Sequence, residues 1–384
     1  MLRKSAPSSS PALESLLDAL SAVPDPRVAR TRAHPLVNIL VISLLGVISG
    51  ADGWEALELF AQYREGFFRT FLSMPKGYPS ADTFRRVFES LDPSAFQAAF
   101  RRWLEPLLNG LQGQTIALDG KTLRGALAHA GNKGAFHLMH VWAVEQRLLL
   151  AQKAVEGTPG EVQVAVELLK MLDLKGATVT ADANSCTAEV TTTVREAGAH
   201  FVLSLKGNRS SLHKHVQKCF AEAEKSGYPG MKPFVSDDKA HGRTEHRVVR
   251  AMSLGNLPAA IKAPWCDIKS IVQIDRVRSA DKLTVHRAYY VTSHAANPRQ
   301  LAARIRGHWS IENQLHHSLD VSFADDRRKI RSENGAQNLA LINRYALSLL
   351  KRDPTKMSVA MKRRKAAWAD SYFVDVLAFG FPQI

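Results

Sequence analysis

In the first 110 residues apolar positions recur at helical spacing, in PALESLLDALSAV, in Trp54-Glu55-Ala56-Leu57-Glu58-Leu59-Phe60 and in SADTFRRVFESL. Pro24, Pro26, Pro35, Pro75, Pro79 and Pro93 punctuate these stretches. Ser80 before Asp82-Thr83, and Ser94 after Asp92-Pro93, have the chemistry of helix starts. The most apolar run, 36–51, contains Asn38, Ser43 and Ser49 and is closed by Asp52; sixteen residues fall short of a bilayer span and predict a buried helix. Residues 1–110 are therefore expected to form a helical N-terminal domain rich in Arg and aromatics.

From about residue 114 the period changes. Segments 115–118, 136–144 and 148–155 have strand character, separated by the loop ALAHAGNKG and the polar break Glu145-Gln146-Arg147. A helix over 161–172 places Val162, Val166, Leu169 and Leu172 near one face. A strand over 177–181 runs into Asp182, a helix follows over 187–197, and then a strand over 200–205. The order βββαβαβ predicts an α/β domain over 111–384, a mixed sheet flanked by helices. Residues 209–292 interrupt it with a helix over 211–225 and strand-like segments at 247–252, 268–276 and 288–292, an inserted, mostly β subdomain. After Asn297-Pro298 a strong helix begins and carries Glu312.

Charge narrows the partner. Lys and Arg number 51 against 36 Asp and Glu, a net +15, the balance of a protein that meets a polyanion. An anionic membrane is the competing partner, but neither a basic amphipathic helix nor a long apolar span is present. The polar start MLRKSAPSSSP has no secretory apolar core, and three well-separated cysteines, Cys186, Cys219 and Cys266, suit reduced thiols; a cytoplasmic protein is expected.

Candidate chemistry rests on three acids: Asp119 in TIALDGKTLRGA, Asp182 in GATVTADANSC and Glu312 in RGHWSIENQLHHSLDVSFADD. The order βββαβαβ, then α, matches the ribonuclease H-like fold, in which the first and fourth strands are neighbours, so that Asp119 and Asp182 leave two adjacent strand ends. Three carboxylates brought together make an oxygen-rich site for hard divalent cations.

The motifs resemble the DDE transposases of bacterial insertion sequences, most nearly the H-repeat-associated family found beside Rhs elements. The resemblance runs in order through VPDPRVARTRAHPL, YPSADTFRRVFESLDP, ALDGKTLRGA, VTADANSC, LSLKGNRSSL, HGRTEHR and HWSIENQLHHSLDVSF, from about residue 14 to 380. Departures occur at Leu315-His316-His317, where members usually read Leu-His-Trp, and at Asp325-Asp326, where they read Glu-Asp. Thr187 replaces a common glutamine, and His308 stands where the wider superfamily often has arginine, with Arg306 nearby.

The resemblance implies binding of double-stranded DNA at terminal inverted repeats, cleavage at the element ends, and transfer of the 3′-hydroxyl strands to target DNA by an active complex that is at least a homodimer. Two Mg²⁺ or Mn²⁺ ions roughly 3.5–4 Å apart would be held by Asp119, Asp182 and Glu312. Lys121, Arg124, Lys206, Asn208 and Arg209, together with Arg243, Arg306, His308 and Trp309, are the expected DNA contacts.

Blander readings compete. Asp119 before Gly120 could be a turn residue, Asp182-Ala183-Asn184 a helix cap and Glu312 a solvated helix face. The run Lys362-Arg363-Arg364-Lys365 is expected to be a solvated face. His308, Glu312, His316 and Asp320 form a period-four stripe that suggests a zinc hydrolase, although a straight helix separates successive members by about 6 Å. A DNA-binding protein left by a decayed element is the remaining alternative. Asp320 is expected to pair with a basic neighbour or cap a helix end, and removal of residues 1–110 to weaken end recognition more than it damages the catalytic fold.

Overall fold

The computed structural model describes residues 10–379 apart from 109, 128–134, 156–159, 241–242, 255–257, 280–282 and 328. The N-terminal periodic segments form α1 (Pro11–Ser21), α2 (Leu36–Ile48), α3 (Trp54–Tyr63), α4 (Glu65–Phe68), α5 (Ala81–Ser90) and α6 (Pro93–Leu104). The Ser80 hydroxyl accepts from the Thr83 N–H to start α5. The Asp92 carboxylate accepts from the Ser94 and Ala95 N–H groups to start α6, so Asp92 rather than Ser94 is the cap and Pro93 opens the first turn. In α2 every side chain but Val37 is buried, as its unbroken apolarity requires.

The strands are β1 (Thr115–Leu127), β2 (Ala135–Ala143), β3 (Leu148–Val155), β4 (Thr178–Ala181), β5 (His200–Leu205), β6 (Phe234–Ala240), β7 (Arg243–Ser253), β8 (Ser270–Ser279) and β9 (Leu283–Thr292). Among the described residues these nine make one sheet in the order β3-β2-β1-β4-β5-β9-β8-β7-β6. Pairings β1–β4 and β4–β5 are parallel and the rest antiparallel. Crossovers carry α7 (Gly160–Lys170) and α8 (Ala188–Glu196), and α9 (Ser210–Lys225) follows β5.

The insertion adds its strands to the same sheet. β9 pairs with β5 from Val202↔Thr292 to Leu205↔Tyr289 and so covers the edge that β5 would expose. β6, which has no apolar alternation to announce it, is held instead by cross-strand side-chain bonds such as Asp237 with His246 at 2.8 Å. β1 continues to Leu127 rather than stopping near 118, because β2 pairs with it well beyond the end of β4.

Beyond α10 (Ala259–Lys262), α11 (Pro298–Ser310) runs through a π-helical turn, Ile311–His316, into α12 (His317–Phe323). Then come α13 (Glu333–Arg352), α14 (Val359–Trp368) and α15 (Asp370–Ala378). One apolar cluster joins Phe84, Phe96 and Phe100 of the N-terminal helices to Trp142 of the sheet and to Leu319 and Tyr345 of the C-terminal helices. Phe100 stacks on Tyr345 with ring centroids 4.4 Å apart. The N-terminal helices therefore share their core with α13, and deleting residues 1–110 would strip one side of that helix. A second cluster, on the other sheet face, packs α7, α8 and α9.

Two members of the basic run 362–365, Lys362 and Arg363, depart from the expected solvated face, while Arg364 is exposed. Lys362 is buried and donates to the carbonyls of Leu350 and Asp353 at 3.1 and 2.7 Å, while Arg363 donates to Val47 O at 3.1 and 2.9 Å. These carbonyls lie at the C-terminal ends of α13 and α2, where a cation serves both hydrogen bonding and the helix dipole.

Candidate active site

Parallel pairing of β1 with β4 ends at Leu118↔Ala181. Asp119 and Asp182 are the next residues on each strand, so two adjacent strands deliver a carboxylate at the same level of the sheet. Asp119 is still inside β1, opposite His140 of β2, rather than past a strand end. Gly120 leaves room for the neighbouring strand: an added Cβ would lie 2.3 Å from the His137 Nε2 and would force that ring to move. Asp182 Oδ1 accepts from the Asn184 and Ser185 N–H groups at 3.0 and 3.2 Å, an Asx turn that fixes the carboxylate.

The third acid lies on the helix crossing this edge. Glu312 is in the π turn, exposed, directly after the buried Ile311. Such turns shift the helical register by one residue and occur often at functional sites. The period-four stripe meets the sheet one residue at a time. His308 Nδ1 is 3.2 Å from the Thr180 hydroxyl, His316 Nδ1 is 3.7 Å from Asp119 Oδ2, and Asp320 accepts from Lys121 Nζ at 2.7 and 2.9 Å.

Burial, and after it the Asp182 charge and more weakly that of Glu312, pushes the Asp119 carboxyl up to about 7. Loss of hydration raises Glu312 as well. Burial lowers His308 to about 4, against a partial offset from Asp182, and His316 to about 3, helped by Arg344 and Lys121. Both imidazoles are neutral at pH 7, so His316 and Asp119 do not form an ion pair there. Behind them, buried Arg344 donates through Nε to His140 Nε2 at 2.7 Å and through Nη2 to Asp325 Oδ2 at 3.2 Å. His140 Nδ1 and His316 Nε2 are buried without hydrogen-bond partners.

Among the described residues no three His, Cys, Asp or Glu side chains close on one point, so the stripe forms no zinc-type ligand set and the three acids couple through charge across a wider gap. As a donor set they still suit a hard divalent cation: three carboxylates, one of them holding its proton up to about pH 7 through burial and like charge, gain most from a cation placed between them.

The expected DNA contacts divide. Lys121 is 8% exposed and committed to Asp320, with Asp326 3.4 Å away, so it braces β1 against α12 instead of facing a phosphate. Asn208 Nδ2 and Arg209 Nε donate to the Ala183 and Cys186 carbonyls, each at 2.7 Å, and so hold the loop that presents Asp182. Arg306 is bound by both Asp238 oxygens at 2.7 and 2.9 Å. Lys206 and Arg124 are exposed, and the nearest carboxylate to Arg124, Asp326, is 3.9 Å away. Trp309 is exposed, with the Arg276 guanidinium 5.3 Å from its ring centroid. The Arg243 side chain lies outside the described residues. Reasoning from sequence did not identify Arg344, His140 or Asp325, since nothing local announces a buried network drawn from three distant segments.

Residues 110–349 match the family described as Transposase DDE domain, and residues 17–104 the family described as DDE_Tnp_1-associated. The chain is 32% identical to YncI of Escherichia coli O157:H7 over 95% of both chains. It is 30% identical to the H repeat-associated protein YhhI of Escherichia coli strain K12 over 95% of this chain and 98% of that one. Both relatives carry the word transposase in their names. A solved piggyBac transposase synaptic complex with hairpin DNA aligns over 98% of this chain and 79% of that chain, with TM-score 0.44 and 10% identity.

Proposed function

Because this chain belongs to the transposase DDE-domain family and has H repeat-associated relatives along nearly its whole length, we propose that it cuts and joins DNA at the ends of an insertion sequence. The observation that carries the reading is the placement of Asp119 and Asp182 immediately past the last paired residues of adjacent parallel strands, with Glu312 on the helix that crosses them. That arrangement, after three antiparallel strands and the α7 and α8 crossovers, favours a ribonuclease H-like catalytic domain.

In this reading water attacks the phosphorus at the element boundary; the P–O3′ bond breaks, leaving a 3′-hydroxyl and a 5′-phosphate. The freed 3′-hydroxyl then attacks the phosphorus of a target phosphodiester, whose own P–O3′ bond breaks and leaves a 3′-hydroxyl on the target strand. Asp119, Asp182 and Glu312 would hold two Mg²⁺ or Mn²⁺ ions, which when bound supply charge neutralisation and activate the attacking oxygen. The chain's own side chains set up that site. Asn208 and Arg209 fix the Asp182 loop, and Lys121 with Asp320 fixes β1 against the crossing helix. Neutral His308 and His316 exclude water from the buried side of the acids without adding charge. Exposed Lys206 and Arg124 meet backbone phosphates of the terminal inverted repeats. Two ends must be cut in register, so the active complex is a homodimer, acting in the cytoplasm on the nucleoid. Among the described residues no helix is long and apolar enough to cross a membrane.

Purified protein incubated with its flanking repeats and Mg²⁺ or Mn²⁺ should break strands at the element boundary. Duplex binding with no metal-dependent breakage anywhere would contradict the reading.

A further inference from the structure

Beyond Glu312 the crossing helix gives way to a row of cations that the fold does not answer. Arg327, Lys329 and Arg331 are exposed and, among the described residues, join no ion pair. Arg124 of β1 stands beside them with 84% of its side chain exposed. The neighbouring carboxylate, Asp326, lies closer to buried Lys121, at 3.4 Å, than to Arg124, at 3.9 Å. On the other side of the acids the arginines are engaged: Asp238 and Glu245 hold Arg247, Arg278 and Arg306.

Two inward anchors set the course of this row. α12 ends at Ala324, whose left-handed φ of 52° turns the chain. Buried Asp325 then accepts from Asn343 and Arg344 at 2.9 and 3.2 Å. Farther on, Ile330 packs among Leu123 and Ala126 of β1 and Ala336 and Ala340 of α13. With Asp325 and Ile330 turned in, the cations are left to solvent, where an unpaired charge belongs. The chain therefore runs alongside β1 away from Asp119, past Lys121 and Arg124 to Ala126. Its far end reaches the N-terminal helices: a Cβ on Gly335 would lie 3.3 Å from both Glu89 Cγ of α5 and Ile330 Cγ2. The stretch of β1 from Asp119 to Ala126 spans about 23 Å at about 3.3 Å per residue, the length of about seven base pairs.

We propose that this row is the bed of the element's own duplex, with Arg124, Arg327, Lys329 and Arg331 holding backbone phosphates from the cut inward towards the N-terminal helices. Flexible cations in a row suit a polyanion and read no sequence, so they set the direction of the duplex and leave recognition to other groups. The element end stays bound through cutting and joining, whereas flanking DNA leaves after the first step and target DNA arrives for the second. The track that joins the acids to the N-terminal helices therefore belongs to the element. The inference rests on the reading of the chain as a DNA transposase and adds the side on which the retained duplex leaves the acids.

The test titrates the full-length protein with a duplex carrying the element end and its flank across a salt series, and maps contacts on that duplex by phosphate ethylation interference. Arg327→Gln/Lys329→Gln/Arg331→Gln should bind with a log–log salt slope shallower by about 2.7, at about 0.9 per phosphate. It should lose interference only at element phosphates within about seven base pairs of the boundary. Its melting should match that of the parent, because all three side chains are exposed. Should it fail to fold, Lys329→Gln alone should make the slope shallower by about 0.9. An unchanged slope, or interference lost on the flank instead of the element, would overturn the inference while duplex binding left the transposase reading standing. A shallower slope with every element contact intact would make the row a general polyanion surface and overturn it too. No binding of the duplex by the parent protein at low salt would sink the transposase reading itself.

Discussion

The two halves of the sheet carry charge in opposite ways. In the outer half, β6 to β9, carboxylates are matched by arginines: Asp238 with Arg247 and Arg306, Glu245 with Arg247 and Arg278, Asp275 with Arg250 and Arg287. Arg306 holds the Asp238 carboxyl below the usual carboxylate range. In the inner half the strands are buried and apolar, and Asp119 and Asp182 stand where the parallel pairing of β1 with β4 ends, facing like charge. The same residue type is scaffold where a cation answers it and a candidate for chemistry where only another acid does. Net charge alone could not separate the two, because much of the positive charge in the outer half is spent on internal pairs.

The largest effect should come from breaking the buried pair behind the acids. Arg344 is fully buried and bound to Asp325 and His140, so Arg344→Met leaves a buried carboxylate without its cation and should cost about 3–5 kcal/mol. Urea unfolding measures it, and a cost under about 1 kcal/mol would show that water already reaches this network.

A second prediction has the opposite sign. Asp119 gives up its proton near pH 7 in the folded chain against an ordinary 3.8. Between those values the folded state holds the extra proton, so this group's contribution to stability falls as pH rises through the window. Asp119→Asn should then be the more stable protein at pH 8, by up to about 4 kcal/mol at about 1.4 kcal/mol per unit, with the gap closing towards pH 4. Equal urea midpoints at pH 8 would remove Asp119 from a like-charged cluster.

The smallest change belongs to the outer half. Arg287 bridges Glu224 and Asp275 at the surface, and Arg287→Ala should cost no more than about 1 kcal/mol, less in high salt. A loss comparable to that of Arg344→Met would erase the contrast between the halves.

Much of the inner half was legible in the chain. The apolar runs of β2, β3 and β5 and the crossover helices follow from local pattern, because strands buried on both faces must be apolar. β6 was not legible, since Val235-Ser236-Asp237-Asp238 is held by partners nine residues away in β7. The burial of Lys362 and Arg363 and the engagement of Lys121 by Asp320 escaped for the same reason: a charged side chain's state is decided by what the fold places opposite it. The π turn at Glu312 leaves no mark in composition.

If unanswered acids do the chemistry and answered ones hold the fold, two positions on one helix should behave differently. Glu312 is exposed in the π turn, whereas Asp320, two turns on, is bound to Lys121. Metal-dependent cleavage of a duplex element end should fall about a thousandfold in folded Glu312→Gln, with DNA binding kept, because several kcal/mol of transition-state charge stabilisation is lost. Asp320→Asn should keep cutting while its urea midpoint drops. If Asp320→Asn stayed folded and inactive while Glu312→Gln cut normally, the assignment of the third acid, and the rule that led to it, would be wrong.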